Sequence, residues 1–400
     1  IYMGDWSSDV CSSDLATFDG LSFIGIKYQE LLIIFQGLGY MLSKFYGIRF
    51  IAELKRFGRW KTSAFLVGAA WFSLLIFGIT PAPFGVICLF VNGFMLGFMW
   101  GIVFSYVEGR RATDFIGAAM AVSFIFAGGF TRSVAVWLRN SWQVPEQWLG
   151  FVTGLVFALP LLLFMYLLEK IPAPDEADIQ ERTVRLPMQK PERKKFLRHF
   201  GPGILAVTIT YLFLTIMRDI RDNFMANIWN ELGYGSKPDI FTKTETITSI
   251  VVLVMMGLLV LIRKNIRAFR LIHWVVLAGF LLAGISSVLF LTGKMSGVLW
   301  MQLVGLGLYM GYIPFNCIFF ERMIASFRVV GNVGFLIYLV DAYGYLGSSS
   351  VILSRHLFQI NLTWSQFYPN AVVIFSVVGI IATFFSLVYF NRKYRTLKPD

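Results

Sequence analysis

Charged residues are scarce in this 400-residue sequence, at 14%, whereas hydrophobic residues make up 57%. Soluble domains carry about 25% charged and about 45–50% apolar residues, so the composition excludes an ordinary soluble protein. Cysteine and histidine are rare too, with three of each and no two cysteines close in sequence. This scarcity argues against disulfide scaffolds and cysteine-ligated metal sites. The sequence also lacks a Gly-x-x-x-x-Gly-Lys-Ser/Thr loop, so we expect no cofactor, no metal and no nucleotide-driven pump.

Long hydrophobic runs dominate the chain instead. A membrane-spanning helix needs about 20 apolar residues, and eleven runs approach that length. We therefore predict an all-α polytopic membrane protein. Its connectors leave no room for a separate catalytic domain, so we do not expect an enzyme. The predicted spans are 26 to 46, 62 to 80, 84 to 107, 115 to 137, 147 to 168, 202 to 220, 244 to 262, 269 to 291, 297 to 319, 329 to 353 and 370 to 390.

Basic residues are divided unevenly between the connectors. The connector after the first span carries Lys44, Arg49, Lys55, Arg56, Arg59 and Lys61, whereas the next connector, residues 80–83, carries none. The positive-inside rule assigns the basic side to the cytoplasm, with the 169–200 linker and the C-terminus, and accounts for the net charge of +12 without nucleic acid. The opposite side carries only Lys27, Arg139, Lys237, Lys243, Lys294 and Arg355.

The first fifteen residues differ in character from the rest. Trp6 to Leu15 reads WSSDVCSSDL, which resembles the translation of a short-read sequencing adapter. It has neither the basic start nor the apolar run of a signal peptide. We therefore expect residues 1–15 to be an artefact that packs against nothing.

The two halves of the chain repeat each other. Three glycines of the first half match three of the second at a constant offset of 214, and Glu108 matches Glu321 after a one-residue shift. Subtracting 214 from the seventh-helix region reaches the adapter-like segment, so we infer that the first helix is missing. The expected units are the first half, 16–168, the linker, 169–200, and a six-helix half, 201–400. This is the architecture of major facilitator transporters. The matched glycines are Gly93, Gly97 and Gly117 with Gly307, Gly311 and Gly331.

Several sequence segments extend this likeness. ATFDGLSF, LGYMLSKFYGIR, FSYVEGRR, MRDIRDNF and GLYMGYIPFNCIFFERMIASF resemble a bacterial family of integral membrane proteins within the major facilitator superfamily, from Ala16 to the C-terminus. The resemblance implies a monomer in lipid of the inner membrane that carries a small-molecule solute, with or without a coupling ion. A more distant likeness is to organophosphate:phosphate antiporters, which place arginines on the first helix of each half. Arg218 and Arg221 occupy the matching place, which implies an anionic solute.

Three arginines lie in or at the edge of predicted spans. Arg218 and Arg132 lie at comparable depth, and Arg221 follows one turn after Arg218. An ionisable group costs at least about 2.5–3.5 kcal/mol at mid-membrane, so its default interpretation is functional. The planar guanidinium suits a phosphate or carboxylate, so we predict substrate contact for all three. The alternative is neutralisation by Asp219 and Asp222.

Asp341 is the acid that the sequence places near the middle of a span. Burial favours the neutral form of a carboxylate, so Asp341 either carries a proton or is the counter-charge of an arginine. We favour the second interpretation.

Two charged clusters repeat at equivalent cytoplasmic helix ends. Glu108 with Arg110 belongs to the first half, and Glu321 with Arg322 belongs to the second. Such pairs either form a gate that closes in one conformation or anchor the helices at the interface. Three functions then compete: a secondary transporter of an anionic solute that works by alternating access, a non-transporting sensor or scaffold with the same fold, and a membrane-embedded enzyme.

Overall fold

The structure is a computed structural model of the chain. It describes residues 18, 20–53, 58–107, 113–172, 190–327, 333–358 and 362–397. The adapter-like segment 1–15 lies outside these ranges, so its interpretation stays a prediction.

The described residues form helices preceded by one short hairpin. Strands β1 (Ser22–Phe23) and β2 (Ile26–Lys27) pair antiparallel. The helices of the first half are α1 (Tyr28–Glu53), α2 (Arg59–Ile79), α3 (Gly85–Leu96), α4 (Met99–Val107), α5 (Thr113–Trp142) and α6 (Glu146–Glu169). Those of the second half are α7 (Lys190–Asn223), α8 (Met225–Glu231), α9 (Asp239–Val260), α10 (Asn265–Leu291), α11 (Gly297–Pro314), α12 (Phe320–Phe327), α13 (Val333–Leu357) and α14 (Trp364–Leu397), with a π-helix at Phe315–Phe319 after α11.

The predicted all-α polytopic fold is confirmed, and each of the eleven predicted spans contains helix within its described residues. Within the described residues, nine segments are long and apolar enough to cross a membrane. The two other predicted spans correspond to α1 and α13, which are not among the nine. Both carry buried polar side chains, such as Gln36 and Lys44 on α1 and Ser348 on α13. The exact number of spans therefore stays a prediction.

Two helices related by the sequence repeat are irregular. The predicted span 84 to 107 breaks at Gly97 and Phe98, between α3 and α4. The corresponding span of the second half, 297 to 319, changes from the α-helix α11 to the π-helix directly after Pro314. Proline removes a backbone donor and clashes with the preceding turn, which accounts for the second irregularity. Both repeat-related helices are therefore interrupted at comparable places.

Two seams join the halves. Helix α1 packs against α13, and α5 packs against α9. In the repeat, α1 corresponds to α9 and α5 corresponds to α13, so each seam is the counterpart of the other. This arrangement is what two parallel repeats around one axis produce. It positions side chains of both halves around a shared centre.

Helix α7 begins within the segment predicted as the linker. Residues 173–189 lie outside the description, but α7 already begins at Lys190, inside the predicted 169–200 segment. Phe196 and Phe200 are buried in the core of the second half. These apolar side chains extend the helix because their burial stabilises it.

Repeat-related glycines lie where helices approach most closely. A Cβ added to Gly93 of α3 would lie 2.2 Å from the carbonyl oxygen of Gln36 on α1. A Cβ added to Gly307 of α11 would lie 2.5 Å from the carbonyl oxygen of Gly279 on α10. Small residues allow such contact between backbones, so the matched glycines pack helices within each half.

Replacing Gly93 with alanine should destabilise the protein, because the new methyl group forces α1 and α3 apart. We expect a loss of about 1–3 kcal/mol, measured by thermal unfolding in detergent. Gly257→Ala is the matched control, since nothing lies within 4 Å of its Cβ position. Alanine should leave stability unchanged or raise it there. Equal melting temperatures for the two variants would contradict the close-packing role of Gly93.

Candidate functional site

Two adjoining cavities lie between the halves. The larger, of about 60 Å³, is lined by α1, α7 and α13. The smaller, of about 30 Å³, reaches towards α4, α5 and α11. Tyr40, Arg218 and Tyr345 line both cavities, and the rings of Tyr40 and Tyr345 are 4.7 Å apart. The two halves therefore meet around one arginine and two tyrosines.

Arg218 projects from α7 into this centre. Its Nη2 lies 2.5 Å from Oδ1 of Asp219, the next residue, and 3.3 Å from the hydroxyl of Tyr345. Its Nη1 donates to the hydroxyl of Tyr312, whose ring centroid lies 4.3 Å from the guanidinium carbon. The other oxygen of Asp219 accepts a hydrogen bond of 2.5 Å from Ser348 on α13. Arg218 is thus neutralised on its own helix yet still faces both cavities.

Asp341 of α13 lines the smaller cavity and contacts α7. Its Oδ1 accepts a hydrogen bond from the hydroxyl of Tyr211. The same hydroxyl lies 3.0 Å from Oδ1 of Asn316, in the π-helix. The ring of Tyr211 stacks on that of Tyr312 at 5.5 Å, and Tyr312 also accepts from Arg218. The stacked rings of Tyr211 and Tyr312 therefore connect the hydrogen bond of Asp341 with that of Arg218.

Lys44 also lines the smaller cavity, with 3% of its surface exposed. The sequence places it in a cytoplasmic connector, because the apolar run ends nearby. Helix α1 continues to Glu53, and the Lys44 ammonium lies 4.5 Å from the ring centroid of Tyr40, one turn earlier. The position is therefore a buried cation that sequence reasoning missed. Lys44 follows Tyr40 by four residues, which places both on one helix face, and this spacing is the signal in the sequence that could have identified Lys44.

Arg221 lies away from these cavities. It is fully buried, and its Nη2 lies 2.6 Å from Oε1 of Glu245 on α9. The sequence singles out Asp341 as the acid inside a span. Glu245 is only 1% exposed, so it is a second buried acid. Glu245 is the second residue of the predicted span 244 to 262, but helix α9 begins earlier, at Asp239, so Glu245 lies well inside the helix. Gly305 of α11 leaves room for the guanidinium, whose Nη2 would lie 2.5 Å from an added Cβ.

Arg132, the third predicted arginine, lies near the end of α5. It is 3% exposed, and its Nη2 donates to the carbonyl oxygen of Asp222, 3.1 Å away at the end of α7. It lines a separate cavity of about 10 Å³ with Asn230 and Phe241. Arg132 therefore crosses from one half to the other without reaching the central cavities.

The predicted cytoplasmic gate is described only on one side. Glu108 and Arg110 lie outside the described residues. Arg322 donates to Oδ1 of Asn265, 2.7 Å away, and lies 3.5 Å from the carbonyl oxygen of Val260, both within its own half. Glu321 lies at the start of α12. On this side the contacts of Arg322 join α9 to α10, and the gate stays a prediction.

Polar contacts also join the two halves at the end of the helix bundle opposite the predicted cytoplasmic gate. The distribution of basic residues predicts that this end faces away from the cytoplasm. Arg355, assigned to an outer connector by the sequence, is instead buried on α13 and lies 3.1 Å from Glu30 of α1. Its guanidinium carbon lies 3.9 Å from the ring centroid of Trp364. We call this set the outer clasp: Glu30 with Arg355, Gln29 with Asn227, Arg132 with Asp222, Ser133 with Thr242, and Asn140 with Ser236.

Glu30→Gln should destabilise the closed outer end, because it leaves the buried Arg355 without its carboxylate. Breaking one side of a buried pair costs about 3–5 kcal/mol, which thermal unfolding of the purified protein would reveal. The exposed pair Asp239 and Lys243, 2.5 Å apart, supplies the control. Asp239→Asn should cause no measurable loss, since water screens that pair. Equal losses in the two variants would show that Glu30 and Arg355 do not hold the halves together.

Comparison with protein families matches residues 13–393 to a family described as "Family of unknown function (DUF5690)". No curated protein matches the sequence. The solved structures supply further likenesses, all at low identity. A proton:xylose symporter of the major facilitator superfamily, XylE, bound to 6-bromo-6-deoxy-D-glucose, shares 14% identity with a TM-score of 0.63, over 95% of this chain and 91% of that one.

Two other structures show the same resemblance. A D-xylose-proton symporter gives a TM-score of 0.66 at 15% identity, covering 95% of this chain and 94% of the other. The human organic anion transporter MFSD10 (TETRAN) gives 0.54 at 12% identity, covering 95% and 89%. At such identities the likeness establishes the fold, and the chain has the major facilitator fold.

Proposed function

Because the chain belongs to DUF5690, a family of unknown function, we infer its activity from its own residues. We propose that the protein is a secondary transporter for a small anionic solute. In this proposal the solute binds between the halves, and transport proceeds by alternating access. The protein acts as a monomer in the bacterial inner membrane with its C-terminus in the cytoplasm. The uneven distribution of basic residues supports that orientation.

The position of Arg218 carries the proposal. A guanidinium stays charged at any physiological pH and donates hydrogen bonds in a fixed fork that fits carboxylate and phosphate. Placing this group within a membrane costs free energy, so the default interpretation of Arg218 is functional. Arg218 lines both cavities between the halves, where a solute would contact α1, α7 and α13 together.

The two other arginines support the site without contacting the solute in this proposal. Arg221 and Glu245 fix α7 to α9 within the second half. Arg132 contributes to the outer clasp through the Asp222 carbonyl.

Alternating access requires the halves to part at one end while they remain closed at the other. The outer clasp closes one end through side-chain hydrogen bonds and an ion pair between the halves. The irregular spans α3–α4 and α11 to the π-helix lie beside the central cavities. Such irregularities in helices absorb changes of backbone angle, which suits helices that bend during the cycle.

A neutral polyhydroxylated solute is the second candidate, favoured by the lining of the larger cavity. Gln36, Asn223, Ser348 and Ser349 offer uncharged donors and acceptors there. The symporters with similar folds are named for xylose, which is such a solute. A non-transporting sensor or scaffold with this fold is the remaining alternative.

Arg218→Lys should lower transport of the anionic solute at least about tenfold, because lysine cannot make two parallel charged hydrogen bonds worth about 1.5–3 kcal/mol each. The measurement is uptake by proteoliposomes across a panel of phosphorylated solutes, carboxylated solutes and neutral sugars. Arg263→Lys, an exposed substitution in the connector between α9 and α10, is the matched control and should transport at the original rate.

The same panel separates the candidates. Uptake confined to neutral sugars and unchanged in Arg218→Lys would refute the anionic solute. Folded protein that transports no member of the panel would favour the sensor or scaffold.

A further inference from the structure

The second half carries a cluster of arginines without acids at its predicted cytoplasmic end. Helix α10 begins there and α14 ends there, and the sequence contains no aspartate or glutamate from residue 246 to 320 or from 342 to 399. Among the described residues, none of these arginines forms an ion pair with a carboxylate. We call the cluster the basic corner: Arg267 and Arg270 near the start of α10, and Arg392 and Arg395 near the end of α14.

A direct contact joins the two helices at the basic corner. Arg270 donates from Nε to Oδ1 of Asn391, 2.6 Å away, and its guanidinium carbon lies 5.7 Å from the ring centroid of Tyr394. The hydrogen bond uses Nε, so both Nη groups keep their donors, and Arg270 is only half-buried. An anionic group can therefore accept hydrogen bonds from Arg270 without displacing Asn391.

Apolar stripes lead from this contact along both helices towards the middle of the membrane. On α10, Trp274 lies one turn beyond Arg270 on the same face and is 56% exposed. On α14, Phe384 lies two turns before Asn391 on the same face and is 53% exposed. Because Arg270 contacts Asn391, the two stripes adjoin. The basic corner thus continues directly into an exposed apolar surface made by two helices.

The corresponding corner of the first half contains its own carboxylate. In the repeat, α2 corresponds to α10 and α6 corresponds to α14. The guanidinium carbon of Arg59 on α2 lies 5.5 Å from the ring centroid of Tyr106, whose hydroxyl donates to Glu169 at 2.9 Å. Glu169 is the last residue of α6, so a cation and a carboxylate flank one tyrosine. The positive-inside rule applies to both halves and does not account for this difference between them.

We propose that the basic corner binds an anionic phospholipid of the adjoining leaflet. The phosphate accepts charged hydrogen bonds from Arg267, Arg270 and Arg395, because guanidinium groups fit a phosphate with two parallel donors. The acyl chains lie along the stripes of Trp274 and Phe384. A soluble phosphate can satisfy the arginines only, whereas a phospholipid matches both the charges and the apolar surface that continues from them. The inference concerns a surface outside the central cavities and goes beyond the proposed transport.

The test adds phosphatidylglycerol, or phosphatidylcholine with the same acyl chains, to the purified full chain in a neutral detergent. Native mass spectrometry counts the lipid molecules retained, and the rise in melting temperature with lipid concentration gives the apparent affinity. We expect phosphatidylglycerol to be retained and to raise the melting temperature, and phosphatidylcholine to bind far more weakly. Raising the salt concentration to about 1 M should weaken phosphatidylglycerol binding, since salt screens exposed charges.

A double variant, Arg267→Gln with Arg395→Gln, removes two exposed charges that form no hydrogen bond or ion pair among the described residues, so it should fold. One basic side chain near an anionic lipid surface contributes about fivefold in affinity, so the variant should bind phosphatidylglycerol about 25-fold more weakly. Lys61→Gln with Lys170→Gln is the matched control. Both lysines are exposed at the corner of α2 and α6, and their loss changes the net charge equally. The control should bind phosphatidylglycerol like the original protein.

Three results would overturn the proposal. Equal weakening in the two double variants would show a general attraction of the basic end to anionic lipid. Equal affinity for phosphatidylcholine would leave the arginines without a role in binding. Glycerol 3-phosphate that raises the melting temperature as much as phosphatidylglycerol would identify a soluble phosphate as the occupant. None of these results depends on which solute the central cavities bind, so the proposed function is tested separately.

Discussion

The cost of holding charge inside a membrane constrains the whole centre of this protein. A side chain such as Arg218 is retained there only if nearby groups replace the water it lost. The structure supplies them from three helices: Asp219 on α7, Tyr312 on α11 and Tyr345 on α13. Because these partners come from separate helices, the position of one guanidinium fixes the relative placement of α7, α11 and α13. The cavities beside it follow from that placement.

The same constraint explains why two short polar motifs on α7 behave differently. Arg218 and Arg221 are three residues apart and each precedes an aspartate. One faces the cavities, whereas the other pairs with Glu245 of α9 beside Gly305 of α11. An offset of three residues rotates a side chain by about 60° around the helix. That rotation is enough to direct Arg221 into the interior of one half and Arg218 into the seam between the halves.

The fold could be predicted from the sequence because the length of each hydrophobic run and the offset between the repeats are both read directly from the order of residues. Its matched glycines, Gly93 and Gly307, do lie at close helix contacts. The site was predicted less completely, because partners on different helices leave no local pattern. Glu245 and Lys44 lie within two residues of the ends of predicted spans, where a charged side chain is readily assigned to the membrane surface. The helices extend past those runs, and tertiary packing buries the residues there.

The contrast between the two kinds of seam indicates where the protein can open. Within a half, α10 and α11 meet through Gly279 and Gly307, and separating them would expose apolar surface and backbone that nothing else covers. Between the halves, the outer clasp consists of polar groups that water can satisfy once they part. Each such hydrogen bond contributes only about 0.5–1.5 kcal/mol net, because water replaces it. In the proposed cycle, opening the outer end exchanges these polar contacts for water, while the apolar side chains of α1 and α5 that pack against the second half must also be uncovered.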